Sequence, residues 1–398
     1  MKKINLCLCL LVLPIVLNAQ WLWQKEKMEH IKAEKNTPLY VDAYNKLIEE
    51  AQKELNSRTV SVMDKKTTLG SEDKHDYTSL SRYWWADTTK PDGLPYVNRD
   101  GRSNPELNQY DRNRLGHMAS AVNTLSLAYF YTDDEKYAAK AVEFLRTWFL
   151  NPETKMNPNL NYSQVIPGRY NSQGRPEGLI DTYSFVDMLN SVQLLNKSVN
   201  YTNADKEGLK QWFAELIEWM QTSPQGKTED NAKNNHSVAY DVQLLTYALF
   251  ADKMELAKKI INDFPQKRMF AQIEPDGSQP NELWRTLSFG YSEYNLRHMI
   301  DLFAMAKSIG INLYNMESPD GRSFYKATDY LTKYLGKDVS EWPHKQISQW
   351  YEKQQDLCED LYRIVDLDST KKEYLDLYNK YFSQAKMDRN RLLFGAEK

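Results

Sequence analysis

The sequence has 398 residues, of which 51 are lysine or arginine and 54 are aspartate or glutamate, so the formal net charge is −3. This near balance, without a long basic run, gives no support to a nucleic-acid-binding protein. A chain of this length can form one large domain or two ordinary ones.

The first residues have the pattern of a secretory signal. Lys2 and Lys3 precede the apolar run 4–17, and the small residue Ala19 follows shortly after it. We expect cleavage after Ala19, so that residues 1–19 are a signal peptide and the mature chain keeps no membrane anchor. Export is therefore predicted, with the periplasm as the expected destination and secretion as the alternative.

Cysteine usage argues against a disulfide in the mature protein. Cys7 and Cys9 lie inside the predicted signal peptide, so only Cys358 remains after cleavage. One cysteine cannot form an intramolecular disulfide. The stability of the fold must therefore come from its core.

Most of the remaining chain has a helical pattern, with apolar residues at three- and four-residue spacing. This pattern predicts helices over 40–55, 115–132, 134–150, 178–195, 204–222, 236–251, 252–264, 295–310, 324–336 and 371–385. Alternating strand patterns are scarce. Short turns between successive helices predict antiparallel hairpins, and many such hairpins predict an all-α fold, an α/α toroid. Since no Pro/Gly/Ser-rich linker divides the chain, we predict a single domain over residues 20–398.

Two long segments, 81–114 and 151–178, interrupt the helical pattern. They are rich in Pro, Gly, Asn and Arg, and long irregular segments inside a compact domain are usually functional. We predict that they form loops over one mouth of the toroid. The residues that could form a binding surface there are Trp84, Trp85, Tyr96, Arg99, Arg102, Arg169 and Arg175. This cationic, aromatic surface suits a carbohydrate, unless the arginines are merely solvated.

The run Asn234-Asn235-His236 opens the predicted helix 236–251 and allows two interpretations. Asparagine is a good N-cap, and a histidine in a first helical turn is unremarkable, so the run can be structural. Alternatively, Asn235 and His236 present an amide and an imidazole to a cleft, where a helix N-terminus favours an anionic ligand. We predict both roles, with Asn234 as the cap and the other two residues facing the ligand.

A second candidate region, 274–299, contains Glu282, Arg285 and two tyrosines. Because Glu282 and Arg285 are three residues apart, an ion pair within one helix is the structural interpretation. On a regular helix Tyr291 lies roughly 120° around from Arg285, whereas Tyr294 lies about 180° away. Tyr291 is therefore the expected neighbour of the guanidinium.

Asparagine, histidine, arginine and tyrosine together fit the β-elimination of a uronic acid polymer. In that reaction a base removes the C5 proton, and the glycosidic oxygen leaves from C4. Donors must neutralise the neighbouring carboxylate, because the C5 proton is otherwise too weakly acidic. A tyrosine whose phenolate is favoured by a guanidinium can act as the base and return its proton to the leaving oxygen.

Longer motifs are similar to the alginate lyase domain family. They are PDGLPYVNRDGRSNPE, LAYFYTDDEKYAAKAVEFLRTWFLNPETKMNPNLNYSQVIPG, GRPEGLID, NNH and ELWRTLSFGYSEYNL, between about Tyr83 and Leu296. The resemblance implies an incomplete α/α toroid and metal-independent β-elimination without a cofactor. The implied partner is an acidic polysaccharide, alginate or a related polyuronide.

The resemblance also implies residue roles. Asn235 neutralises the substrate carboxylate, and His236 assists and can be the base for the opposite C5 epimer. The arginine of the family falls on Arg285 and its tyrosine on Tyr291, with Tyr294 in reserve. Substrate-binding residues are expected at Asn159, Tyr162, Gln164 and Arg175 from the resemblance, and at Trp84 and Arg99 from the loop composition.

Two alternative functions stay open at this point. A glycoside hydrolase of the toroid class would need paired carboxylates, for which the candidates are Glu177, Asp181, Asp276 and Glu282. A non-catalytic exported glycan-binding protein would keep the fold without the chemistry. No metal site is predicted, because metal-ligand spacing is lacking among His30, His75, His117, His298 and His344. The sequence leaves open the preferred uronate epimer, endo or exo action and the oligomeric state.

Overall fold

The computed structural model describes residues 21–382 and 389–395, and the predicted signal peptide, 1–19, lies outside the described residues. Within these residues the α-helices are α1 (Lys25–Glu34), α2 (Val41–Leu55), α3 (Arg112–Thr132), α4 (Glu135–Leu145), α5 (Phe185–Val192), α6 (Asn203–Thr222), α7 (Pro224–Asp230), α8 (Asn235–Phe250), α9 (Met254–Phe264), α10 (Phe270–Gln272), α11 (Pro280–Leu283), α12 (Ser288–Ser308), α13 (Phe324–Thr332), α14 (Trp350–Leu367), α15 (Lys372–Tyr381) and α16 (Asn390–Leu393). The strands are β1 (Thr78–Leu80), β2 (Trp84–Trp85), β3 (Val97–Asn98) and β4 (Tyr162–Val165). The predicted all-α class is confirmed.

Helices α3, α5, α8, α12 and α14 pack one against the next in chain order. Further helices lie against them, with α4 on α3, α6 and α9 on α8, α13 on α12 and α15 on α14. Every residue of α8 except His236 is buried, whereas α9 buries only one face. A helix buried on all sides belongs to the interior. Inner helices backed by outer ones form the α/α toroid.

The two ends of the described chain meet through α16, which contacts α1, α2 and α14. Lys27 of α1 also donates to Asp366 of α14 at 2.6 Å. A continuous apolar cluster extends from Trp21 to Phe394. The single-domain organisation over residues 20–398 stays a prediction. Cys358 is a buried free cysteine, and none of the helices in the described part of the chain has the length and apolar character needed to cross a membrane.

Some observed helices differ from those predicted by the apolar periodicity. The predicted helix 178–195 is divided into a 3₁₀ segment, Pro176–Thr182, helix α5 and a second 3₁₀ segment, Gln193–Lys197. Helix α14 has no counterpart among the predicted helices. Its buried face mixes Gln354 and Gln355 with apolar residues, which interrupts the apolar repeat.

Short strands order the predicted loops 81–114 and 151–178. β1, which directly precedes the first loop, pairs in parallel with β4 in the second loop, and β2 pairs antiparallel with β3 within the first loop. The backbone N–H of Tyr96 in the first loop donates to the carbonyl of Pro167 in the second at 3.0 Å. These backbone hydrogen bonds give both loops a defined shape beside the N-terminus of α8.

Candidate active site

The first turn of α8 is built by a local cap. Asn234 has an extended backbone, and its side chain accepts a hydrogen bond from the backbone N–H of His236 at 3.3 Å. This confirms the predicted capping role of Asn234. Because the cap starts the helix at Asn235, the side chains of Asn235 and His236 lie at the helix end that favours anions.

Asn235 is held from below by a buried carboxylate. Glu282 accepts the backbone N–H of Asn235 at 2.6 Å and its Nδ2 at 2.8 Å. Burial raises the pKa of Glu282 above its ordinary value, although both hydrogen bonds from Asn235 act in the opposite direction. The Oδ1 atom of Asn235 is buried and has no hydrogen-bond partner among the described residues. Glu282 thus contacts Asn235, and the intrahelical pair with Arg285 considered from the sequence is not formed.

His236 has a carboxylate partner of its own. Its Nδ1 lies 2.6 Å from Oε1 of Glu229, a residue in the last turn of α7. Burial disfavours charge on the imidazole, but the carboxylates of Glu229, Glu177 and Glu282 together outweigh it, so the pKa of His236 is raised. Since Nδ1 is engaged, Nε2 is the ring nitrogen available to a ligand.

Arg285 lies between α11 and α12, where the chain is not helical. Its Nη2 donates to Oη of Tyr291 at 2.9 Å and to Oδ1 of Asp100 at 2.9 Å. The guanidinium carbon lies 4.0 Å from the centre of the Tyr291 ring. The regular helix used to choose between the tyrosines does not exist, because α11 ends at Leu283 and α12 begins at Ser288. This break turns Arg285 back towards Tyr291.

The phenol of Tyr291 has two neighbouring hydrogen-bonding groups. Besides Arg285, the hydroxyl of Tyr83 lies 2.9 Å from the Tyr291 hydroxyl. Burial raises the pKa of Tyr291 above its ordinary value, and Tyr83 adds to this effect while Arg285 opposes it. The expectation that the guanidinium favours the phenolate is right in direction, but burial outweighs it in the free protein.

Tyr294 lies three residues further along α12 and has different neighbours. Its ring centre is 4.1 Å from that of His298 and 6.3 Å from that of Tyr183. Burial raises its pKa, and Arg112 opposes the rise. Among the contacts of the Arg285 guanidinium with described residues, none involves Tyr294.

These side chains surround a cavity of about 780 Å³, which we call the central cavity. The predicted site residues that line it are Trp84, Gln164, Arg175, Asn235, His236, Arg285, Tyr291 and Tyr294. Other residues of its wall were not predicted from the sequence, among them Tyr83, Asp100, Arg112 and Lys353. Tyr83 precedes the predicted Trp84, and Asp100 follows the predicted Arg99. Their positions beside predicted residues of the first loop could have identified them as candidates.

Trp84 and Arg175, both predicted loop residues, lie in one wall of the central cavity. The guanidinium carbons of Arg169 and Arg175 lie 5.0 and 5.9 Å from the Trp84 ring centre, within the range of a cation–π interaction. Arg175 also donates to Ser81 at 2.8 Å and forms an ion pair with Glu177. The first loop and the second are thus joined at this wall.

Other predicted binding residues have different surroundings and are not part of the cavity lining. Arg99 lies over Trp85 at 5.3 Å. Asn159 donates to Asp76 at 3.3 Å. Tyr162 lies in β4, on the strand that carries Gln164. A direct substrate contact of Arg99, Asn159 or Tyr162 stays a prediction that this arrangement does not favour.

The carboxylates proposed for a hydrolase are occupied or distant. Asp181 accepts hydrogen bonds from Tyr77, Ser79 and Gln164. Asp276 accepts a hydrogen bond from the backbone N–H of Ser278 and lies outside the central cavity. Within the described residues no group of three His, Cys, Asp or Glu side chains is arranged to hold a metal ion.

Comparison with known proteins gives a consistent set of matches. The sequence profile described as alginate lyase matches residues 61–342. The crystal structure of an alginate lyase from Bacteroides ovatus is 47% identical, with a TM-score of 0.93 over 95% of this chain and 99% of that chain. Alginate lyase A1-III from Sphingomonas species A1 is 15% identical, with a TM-score of 0.54 over 82% of this chain and 88% of that chain.

A more distant match carries a ligand. A variant of alginate lyase A1-III complexed with a tetrasaccharide is 14% identical to this chain, with a TM-score of 0.58 over 90% of this chain and 92% of that chain. At this level of identity the similarity concerns the fold. No curated protein sequence matches this chain.

Proposed function

This chain belongs to the alginate lyase family and is a polysaccharide lyase, and we propose that it cleaves alginate or a related polyuronide by β-elimination that needs no metal cofactor. The observation that carries the mechanism is the meeting of Asn235, His236, Arg285 and Tyr291 in one cavity. The family assignment decides against the hydrolase and the non-catalytic binding protein.

The amide and the imidazole are the proposed neutralising groups. Removal of the C5 proton moves negative charge towards the substrate carboxylate, so donors near that group lower the barrier. Asn235 is fixed by Glu282, which leaves its second amide hydrogen for the substrate. The raised pKa of His236 keeps its imidazole charged to a higher pH than usual, which suits an anionic ligand.

Tyr291 is the proposed base and acid. When it loses its proton, Arg285 and Tyr83 can both donate to the phenolate oxygen, since each lies 2.9 Å from it. The phenolate then takes the C5 proton, and the resulting phenol returns a proton to the C4 oxygen as the glycosidic bond breaks. The product carries a new C4–C5 double bond on one fragment and a reducing end on the other.

Further parts of this proposal concern the whole protein. We propose that residues 1–19 direct export to the periplasm and that residues 20–398 form one catalytic domain. N-terminal sequencing of the protein from a periplasmic fraction checks the first point, with Gln20 as the expected first residue. Protein that keeps its first residues in the cytoplasm would contradict it.

The activity is tested by following the ultraviolet absorbance of the C4–C5 double bond. Purified protein is incubated with polymannuronate, polyguluronate and glucuronan in the presence of a chelator, and new reducing ends are counted in parallel. Absorbance that rises with the reducing ends supports elimination. New reducing ends without absorbance would mean hydrolysis, and activity lost on chelation and restored by a metal would contradict metal independence.

A further inference from the structure

A second cavity of about 650 Å³, which we call the side cavity, adjoins the central cavity. The two cavities share Arg175, Glu177, Asn234, His236 and Trp284 in their walls. A polymer with one unit at the reacting centre can therefore place a neighbouring unit in the side cavity. Its volume lies within the range of about 300–1,000 Å³ that is usual for small-molecule sites.

Two exposed aromatic side chains line the side cavity. Trp284 is 71% exposed and Tyr170 is 65% exposed. Trp284 is the only exposed tryptophan among the described residues. Leaving large rings in water forgoes the stabilisation that burial provides, so paired rings in a groove indicate a surface that a ligand covers.

The Trp284 ring and the backbone that carries Tyr170 have defined neighbours. The guanidinium of Arg285 lies 5.5 Å from the Trp284 ring centre. The turn at Tyr170, Asn171 and Ser172 has positive φ angles of 51°, 51° and 59°, which residues other than glycine rarely adopt. Gly70 accommodates this turn, because a Cβ atom there would collide with the carbonyl oxygen of Ser172. Such backbone strain is frequent in ligand-binding segments.

The side cavity also carries an available positive charge. Lys233 is exposed and lines the cavity, and its backbone carbonyl is fixed by Nδ2 of Asn281 at 2.7 Å. No hydrogen bond or ion pair joins its ammonium group to another residue in the described part of the chain. An exposed lysine of this kind can pair with a carboxylate, and every unit of a polyuronide carries one.

We propose that the side cavity binds the uronate unit next to the one that reacts, with Trp284 and Tyr170 against the sugar faces and Lys233 at its carboxylate. This inference rests on the proposed function, because it assumes a uronate polymer at the central cavity. It assigns to the side cavity a share of substrate affinity and none of the proton transfer.

Trp284→Ala tests the stacking surface, with Tyr351→Ala as the matched control. Tyr351 is also an exposed aromatic residue, at 57%, but it lines neither cavity. We expect Trp284→Ala to raise KM for long oligouronates about tenfold, with kcat within about threefold of wild type. Trp284→Phe should restore most of the affinity, because it keeps a ring.

Chain length separates a binding role from a structural one. Oligouronates too short to reach the side cavity should be cleaved equally by wild type and Tyr170→Ala, because Tyr170 lines the side cavity and not the central one. A loss of kcat at every length in Trp284→Ala would mean that Trp284 only positions Arg285, and it would overturn the inference. Identical kinetics for Trp284→Ala and Tyr351→Ala at every length would also overturn it.

The charge is tested by Lys233→Ala against Lys227→Ala, which removes an exposed lysine outside both cavities. Calorimetric titration of long oligouronates in a Tyr291→Phe background avoids turnover. Weaker and less salt-dependent binding in Lys233→Ala alone supports the ion pair, and equal binding in both variants contradicts it. If wild type cleaves nothing while these binding differences persist, the proposed lyase function fails and the binding site stands.

Discussion

The two sides of the central cavity are held in different ways. On one side, which we call the amide side, Asn235 rests on Glu282 and His236 rests on Glu229. Both glutamates are buried, and they lie 47 and 7 residues from their partners in the sequence. The amide side is therefore part of the core that forms as the toroid folds.

The opposite side, which we call the phenol side, depends on the first loop. Arg285 is held by Asp100, 185 residues away, and Tyr291 by Tyr83, 208 residues away. The Asp100 side chain is partly exposed, at 27%. The neutralising groups, Asn235 and His236, are therefore coupled to the stability of the fold, whereas the base, Tyr291, is coupled to the conformation of a surface loop.

The largest expected effect is on the phenol side. Tyr291→Phe removes the proposed base and acid, so kcat should fall by about 10²–10⁴-fold, the usual contribution of general acid–base catalysis. Tyr294→Phe is the control and should stay within about threefold of wild type. Initial rates of double-bond absorbance measure both variants. If Tyr294→Phe is the inactive one, the base lies deeper in the cavity than proposed.

The next effect is on the amide side. Asn235→Ala removes a fixed donor to the developing charge, which typically costs about 10²–10³ in kcat. The substitution also removes the side-chain donor to the buried Glu282, which keeps only the backbone N–H of residue 235, so the melting temperature should fall. Turnover within about threefold of wild type on every polyuronide would show that the amide does not face the reacting carboxylate.

Glu282→Gln and Asp100→Asn test whether the amide side and the phenol side differ in their coupling to the stability of the fold. Each substitution replaces a charged acceptor with an amide and should lower kcat by about tenfold by loosening Asn235 or Arg285. Only Glu282→Gln should also lower the melting temperature clearly, because Glu282 is buried whereas Asp100 is partly exposed. Equal losses of stability would remove the proposed difference between the two sides.

The pH dependence provides a smaller effect on the phenol side. Because burial and Tyr83 raise the pKa of Tyr291 above its ordinary value, most of this residue keeps its proton at neutral pH. The phenolate fraction, and with it kcat/KM, should therefore rise from neutral to alkaline pH until the fold or another group limits it. A measured kcat/KM that is flat across this range would argue against a phenolate base.

The smallest expected effect concerns the charge of His236. Glu229→Gln removes the carboxylate that does most to oppose the effect of burial on His236, so the pKa of His236 should fall, although Glu177 and Glu282 still act to raise it. His236 loses its proton at a lower pH, and the limb of the kcat/KM profile that depends on its charge should move to lower pH. A limb at the wild-type position would mean that the charge on His236 is not used.

Much of the fold could be predicted from local sequence. Apolar spacing placed α2 within a residue of its observed start, and the polar cap at Asn234 marked the beginning of α8. The apolar periodicity did not predict α14, because several residues on its buried face are polar. The buried face of α14 includes Gln354, Gln355 and Asp360, whose hydrogen bonds and ion pairs replace apolar packing in the interior.

For the candidate site, the residue types and the pairing of Arg285 with Tyr291 were predicted from the sequence, whereas the residues that support them were not. Local sequence was enough to predict that Asn235 and His236 share a helix end, because capping acts over two or three residues. Tyr291 was predicted as the neighbour of Arg285 on the assumption of one regular helix. The tertiary structure makes this contact in another way, through the break between α11 and α12, which no local pattern predicted.

The residues that support the site, Glu282, Tyr83 and Asp100, were the hardest to predict from the sequence. Glu282 was considered from the sequence as a carboxylate of a hydrolase and as an ion-pair partner of Arg285, but not as the support of Asn235. Tyr83 and Asp100 were not predicted as site residues. The helical repeat and the caps follow from interactions a few residues apart, so the sequence determined them alone. The contacts of Tyr83 and Asp100 depend on how a loop folds back over the toroid, and a separation of about 200 residues leaves no local pattern from which to read them.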